Sequence, residues 1–179
     1  MRLFIAVRFD EPVLNRLCAV MDSLKHSAIT GSFTRRPNLH LTLVFLGEIP
    51  PGRVNDIIEA IDGVTENQFL IELGGVGRFK RDNGDILWMG INRCEPLLCV
   101  YRQLVERLAW AGFWVETRQY KPHLTLARGL RLPSGFDRES LALNTGIIHA
   151  PVTGIDLMKS ERVGGVLTYT CIHTKTLSM

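Results

Sequence analysis

The sequence predicts a single α+β domain with an internal duplication, and three observations carry that prediction. At 179 residues the chain is long enough for one domain, or for two small lobes sharing a core, and too short for several independent modules. Strand-like and helix-like apolar patterns alternate as βαβαββ, then αβ, then ββ, with no Ser/Gly-rich linker to divide them. One tetrapeptide, His-Leu-Thr-Leu, stands at 40–43 and again at 123–126.

Each element has its own justification. Residues 2–9 (RLFIAVRF) alternate with period two and read as a strand. Asp10-Glu11-Pro12 is a helix start, with Asp10 as N-cap and proline tolerated in the first turn. Val13, Leu14, Leu17, Val20, Met21 and Leu24 then repeat at helical spacing to about residue 27. Residues 39–46 (LHLTLVFL) are β-rich and stop at Gly47. After Pro50-Pro51-Gly52, a helix is expected with Val54, Ile57, Ile58 and Ile61 on one face. Residues 68–76 and 85–91 read as a hairpin, with a basic loop between them that carries the turn signal Asn83-Gly84. A third helix from about 95 to 111 places Leu97, Tyr101, Leu104, Val105 and Leu108 in register. Residues 123–128 form a short strand, and 130–147 are irregular with room for one helical turn. Two closing strands, about 150–159 and 166–175, meet at Gly164-Gly165.

Composition narrows the function classes. With 46% apolar and 22% charged residues, the chain should bury a core and not behave as a disordered segment. No apolar run reaches the roughly 18 to 20 residues of a membrane span. The N-terminal Met1–Arg8 is too short and too charged for a signal peptide. A cytoplasmic protein without a membrane partner is the expectation. Cys18, Cys94, Cys99 and Cys171 are scattered, without the spacing of a zinc site, and read as free thiols, with Cys18, Cys99 and Cys171 among apolar neighbours. The net charge of +3 permits an anionic ligand without demanding nucleic acid. Cations gather at Arg35-Arg36, at Arg78, Lys80 and Arg81, and at Arg118, Lys121, Arg128 and Arg131, where solvated faces are the ordinary explanation.

The repeat outweighs these generalities. A second copy of one given tetrapeptide should arise by chance less than roughly once in a hundred chains of this length. Both copies follow a helix and a basic, proline-containing loop: Arg35-Arg36-Pro37-Asn38 and Lys121-Pro122. On a strand, His40 and Thr42 share one face while Leu41 and Leu43 share the other, and the second copy repeats this. The leucines suit a core beneath helices. The imidazoles and hydroxyls would need partners if buried. A lone His-x-Thr reads as structural, but the pair reads as two faces lining one cleft. His26 sits where it answers the dipole of the first helix, and His149 and His173 have no matching partner motif.

The chemistry follows from the residue types. Histidine titrates near neutrality, so one imidazole can act as base while the other acts as acid. Hydroxyls and a guanidinium can hold a phosphoryl group that gains charge as it reacts. Arg128, at the end of the second motif strand, is the best candidate for that guanidinium. No serine-nucleophile motif, glycine-rich phosphate loop or magnesium carboxylate set appears. Two histidines, two threonines and an arginine point to acid–base cleavage of a phosphodiester with no metal and no cofactor.

These motifs, with RLFIAV at the start, RRPNLHLTLVFLGE (35–48), DILWMGI (85–91), KPHLTLAR (121–128) and the closing pattern from Lys159-Ser160 to Tyr169, resemble the 2H phosphoesterases, and within them the RNA 2′,3′-cyclic phosphodiesterases, also described as 2′-5′ RNA ligase-like proteins. Residues 129–150 match only loosely. The resemblance implies a bilobal fold over 1–179, two pseudo-symmetric lobes with antiparallel sheets lining a central groove and helices outside. It implies hydrolysis of RNA 2′,3′-cyclic phosphate ends to 2′-phosphates, and by reversal 2′-5′ ligation. Carried over, His40 is the proton donor and His123 the proton acceptor. Thr42, Thr125 and Arg128 bind the phosphate. Phe4 is a candidate for stacking a nucleobase, with core packing as the alternative, and Arg78, Lys80 and Arg81 are candidates for tracking an RNA backbone. The partners expected are RNA or oligonucleotide ends, and a monomer is expected. Alternatives are a phosphodiesterase acting on a 2′,5′-oligonucleotide or ADP-ribose cyclic phosphate, a non-catalytic RNA-end binder, or a hydrolase using the histidines as metal ligands.

Overall fold

The computed structural model describes residues 1–116, 120–137 and 145–179. Its elements are β1 (Arg2–Arg8), α1 (Glu11–Ser27), β2 (Thr30–Phe33), β3 (His40–Glu48), α2 (Val54–Asp62), β4 (Phe69–Phe79), β5 (Asp85–Ile91), α3 (Glu95–Trp110), β6 (His123–Arg131), β7 (Ile148–Val152), β8 (Gly154–Val163) and β9 (Val166–Thr176). Asp10 caps α1 as expected, its side chain accepting from the Val13 N–H at 3.1 Å.

The strands form two antiparallel sheets. One has the order β3-β1-β8-β9 and the other β2-β6-β5-β4-β7. The duplication is visible in the pairing. Each motif strand lies against the strand that precedes its helix, with Ala6 opposite Thr42 and Arg8 opposite His40 in one lobe. In the other, Trp88 lies opposite Thr125 and Gly90 opposite His123.

Strand alternation sends one face of each sheet into a single core. Leu3, Ile5, Val7, Leu41 and Leu43 meet Leu87, Met89, Leu124 and Leu126 there, together with the apolar stripes of α1, α2 and α3. The motif leucines therefore do what their alternation implied. The opposite faces carry the histidines and threonines into a groove of about 1060 Å³ lined from both sheets.

Two expectations need correction. Residues 150–159 are not one strand: the chain breaks at Thr153 between β7, on the five-stranded sheet, and β8, on the four-stranded one. Both halves look equally strand-like because each supplies apolar residues to the same core. The four-residue β2 has no strand signature in the sequence, since Thr-Gly-Ser-Phe lacks apolar alternation, and pairing with β6 is what makes it a strand. Of the segment 130–147 expected to be irregular, residues 130–131 extend β6, and 138–144 lie outside the described residues. The four cysteines are free and half-buried. Among the described residues no helix is long and apolar enough to cross a membrane.

Candidate active site

The two motif histidines are held by the same local device. His40 Nδ1 donates to the Asn38 carbonyl at 2.7 Å, and His123 Nδ1 donates to the Lys121 carbonyl at 2.8 Å. A carbonyl only accepts, so Nδ1 carries the hydrogen and the other ring nitrogen, Nε2, keeps its lone pair when the ring is neutral. That nitrogen is the one free for chemistry. His40 Nε2 lies 3.0 Å from Thr42 Oγ1.

Aromatic rings fix both imidazoles. His40 lies 4.8 Å from Phe4 and edge-on to Tyr169 at 5.2 Å, ring centre to ring centre. His123 lies edge-on to Phe79 at 5.2 Å and 6.0 Å from Trp88. Trp88 occupies the space over Gly77, where an added Cβ would sit 2.2 Å from the indole ring. Glycine at 77 is thus part of the His123 support. Tyr169, Phe79 and Trp88 carry no motif of their own, because three strands distant in sequence bring them to the histidines.

A shared irregularity places the residues beyond the threonines. In β3 the register slips between Ile5 and Ala6, leaving Leu43 as an extra residue; in β6 it slips between Leu87 and Trp88, leaving Leu126 extra. Strict alternation would turn a residue five positions after the histidine to the core face. The bulge reverses the parity, so Arg128 and Phe45 both return to the groove. Arg128 and Phe45 are thus counterparts, a cation in one lobe and a 55% exposed phenyl ring in the other, with the Arg2 guanidinium 5.2 Å from that ring's centre.

Other predicted residues fall less centrally. Phe4 lines the groove but is only 4% exposed, in contact with His40 and Tyr169. Arg78 pairs with Asp85 at 2.9 Å on the β4–β5 hairpin, and neither it nor Lys80 or Arg81 is among the residues lining the groove. Arg118 lies outside the described residues. His26 bonds its own helix at the Asp22 carbonyl, while His149 and His173 face Glu72 and Asp62.

Electrostatics distinguish the two lobes. Burial pushes the His40 imidazole below its ordinary value, the hydrogen bond to Asn38 opposes this, and the Arg128 charge lowers it further. The Asn38 that orients His40 is itself buried, and its side-chain amide donates to the Leu167 carbonyl of β9 at 3.0 Å. Thr34 Oγ1 donates to the Thr125 carbonyl at 2.9 Å, and Tyr120, its hydroxyl pKa raised well above normal by burial and the stacked Tyr101, donates to the Thr42 carbonyl at 3.0 Å. Among the described residues no group of three or more histidine, cysteine, aspartate or glutamate side chains could hold a metal ion.

Comparison with known proteins agrees with this geometry. The chain is 28% identical over 143 residues to the RNA 2′,3′-cyclic phosphodiesterase of Thermotoga maritima, covering 77% of this chain and 75% of that one. It is 32% identical to the protein of the same name from Archaeoglobus fulgidus, with 72% of each chain covered. Its fold matches the crystal structure of E. coli LigT in apo form with a TM-score of 0.80 at 22% identity, over 99% of this chain and 98% of that one. A Thermus thermophilus protein, TT0787, matches with a TM-score of 0.80 at 25% identity and the same coverage. Residues 13–164 match the family described as the 2′-5′ RNA ligase superfamily, and the duplicated His-x-Thr faces meeting in one groove are those of a 2H phosphoesterase, so the chain belongs to that family.

Proposed function

We propose that this protein hydrolyses RNA 2′,3′-cyclic phosphate ends to 2′-phosphates with free 3′-hydroxyls, using His40 and His123 as acid and base and no metal. The observation that carries this reading is the paired anchoring: each Nδ1 is tied to a carbonyl two residues earlier, on equivalent strands whose His/Thr faces share one groove. His123 Nε2 takes a proton from water, whose oxygen attacks phosphorus. The P–O3′ bond breaks, and O3′ takes the proton carried by His40 Nε2. One water is consumed and both protons are accounted for. Thr42, Thr125 and Arg128 hold the non-bridging oxygens as charge builds on them. Phe45 offers an open ring face to a base, while the buried Phe4 serves mainly as packing for His40.

The lowered pKa of His40 bears on its role as the acid. The lowered pKa favours the neutral imidazole in the free protein. A phosphate anion seated between Arg128 and His40 offsets the Arg128 charge and attracts the proton, so His40 takes it up as substrate binds. A donor of lowered pKa also releases its proton more readily to a departing alkoxide. The relatives named RNA 2′,3′-cyclic phosphodiesterase support the substrate class. The same groups would join RNA ends through a 2′-5′ linkage where a 5′-hydroxyl takes the place of the attacking water, with O3′ again leaving on the proton from His40.

The test replaces the bridging 3′-oxygen by sulfur, because a thiolate leaves without a proton. His40→Ala should lose about 10²- to 10⁴-fold on the oxygen substrate and recover on the sulfur one, while His123→Ala stays slow on both. Rescue of His123→Ala instead would exchange the roles. Excess chelator should leave wild-type turnover unchanged, and a loss restored by zinc or manganese would refute metal independence.

A further inference from the structure

The Arg35-Arg36 pair divides in the folded chain. Arg36 turns away from the groove, its guanidinium bonded to Glu11 and to Cys18 Sγ at 3.4 Å. Arg35 is exposed and lines the groove, and among the described residues no carboxylate pairs with it. Its backbone is held on both sides. The preceding Thr34 donates its N–H to the Leu126 carbonyl at 2.8 Å and its hydroxyl to the Thr125 carbonyl. The Arg35 carbonyl accepts from the Asn38 N–H at 2.8 Å, and Asn38 in turn orients His40. Arg35 therefore springs from a rail strung between the two motifs, its origin fixed by the same residues that fix the catalytic faces.

The reacting phosphate does not need this cation. In that reading Thr42, Thr125 and Arg128 already answer its non-bridging oxygens, and it is the Arg128 charge that helps lower the His40 pKa. Of the other guanidinium groups lining the groove, Arg2 lies over the Phe45 ring and Arg162 bonds the Gly165 carbonyl, whereas Arg35 stands at the groove without a carboxylate among the described residues and fits a second anion. We propose that Arg35 binds a phosphoryl group carried on the 5′-oxygen of the reacting nucleoside, so that the preferred substrate is a cyclic-phosphate-ended nucleotide with a second phosphate and not a lone nucleoside cyclic phosphate. This rests on the cyclic phosphodiesterase reading above. The phosphoryl group is shared by an internucleotide diester, a 5′-monophosphate and the pyrophosphate of an ADP-ribose cyclic phosphate.

The experiment compares KM for adenosine 2′,3′-cyclic phosphate, its 5′-phosphorylated form, the dinucleotide ending in the same cyclic phosphate, and ADP-ribose 1″,2″-cyclic phosphate. In the wild type at least one phosphate-bearing substrate should have the lower KM, and which one identifies the source. In Arg35→Gln that advantage should shrink by about 10- to 100-fold, as expected for a lost hydrogen bond to a charged group, with Arg35→Lys retaining part of it. The slope of log KM against log salt for the favoured substrate should fall by about one unit. Equal losses on all four substrates would place Arg35 at the reacting phosphate and overturn the proposal, as would no loss on any. Direct titration separates this from failure of the enzymatic reading. If the wild type turns over none of them yet Arg35→Gln weakens adenosine 2′,5′-bisphosphate more than adenosine 2′-phosphate, the cyclic phosphodiesterase reading falls and the second phosphate site stands.

Discussion

Arg128 connects the charge of the groove to the titration of one imidazole. Its guanidinium lowers the pKa of His40, so removing it should raise that pKa. Arg128→Ala is expected to move the His40 ring resonances to a higher titration midpoint by NMR and to cut kcat/KM by about 10²-fold, the size of one lost oxyanion contact. Arg128 is exposed and unpaired among the described residues, so the melting temperature should stay near that of the wild type. An unchanged His40 midpoint would mean that its perturbation comes from burial alone. The sign for the free enzyme follows. On the proposal that His40 is the acid, kcat/KM should fall as pH rises through a midpoint below the ordinary histidine value of about 6.5.

Between elements, the informative connection runs from the loop before β3 to the β8–β9 hairpin. Asn38 bonds His40 with its carbonyl and β9 with its side chain, so one residue sets the imidazole's angle and ties the groove wall to the motif strand. Asn38→Ala removes the donor to the Leu167 carbonyl and should cost about 1–3 kcal/mol in chemical denaturation, as for a buried hydrogen bond left half-made. Turnover should fall through kcat more than KM, because the backbone acceptor for His40 survives but its position loosens. A stability loss with kcat unchanged would reduce Asn38 to a structural bond. The bulges at Leu43 and Leu126 belong to this scale as well, since they turn Phe45 and Arg128 to the chemical face.

Across the whole molecule, one core serves both sheets, and the chain passes from one sheet to the other more than once. The lobes are therefore expected to unfold together over 1–179 in one transition, coincident by circular dichroism and tryptophan fluorescence. Leu124→Ala, beneath His123 and fully buried, should lower stability by about 2–5 kcal/mol without splitting that transition. Two separate transitions would instead make the lobes independent units.

The repeat by itself determined the duplication, the two histidines and the two threonines, because alternation along a strand is local geometry that every copy of His-Leu-Thr-Leu must obey. The Asp10 cap of α1 and the leucine core were legible for the same reason. Arg128 stands at the end of the second motif, where simple alternation would send it to the core face, and only strand pairing creates the bulge that returns it to the groove. The ring of Phe45, the supports from Tyr169, Phe79 and Trp88, the strand β2 and the break at Thr153 were likewise decided in three dimensions. Each depends on which strands become neighbours, and that choice is made by burial of the whole core and not by any short stretch of sequence.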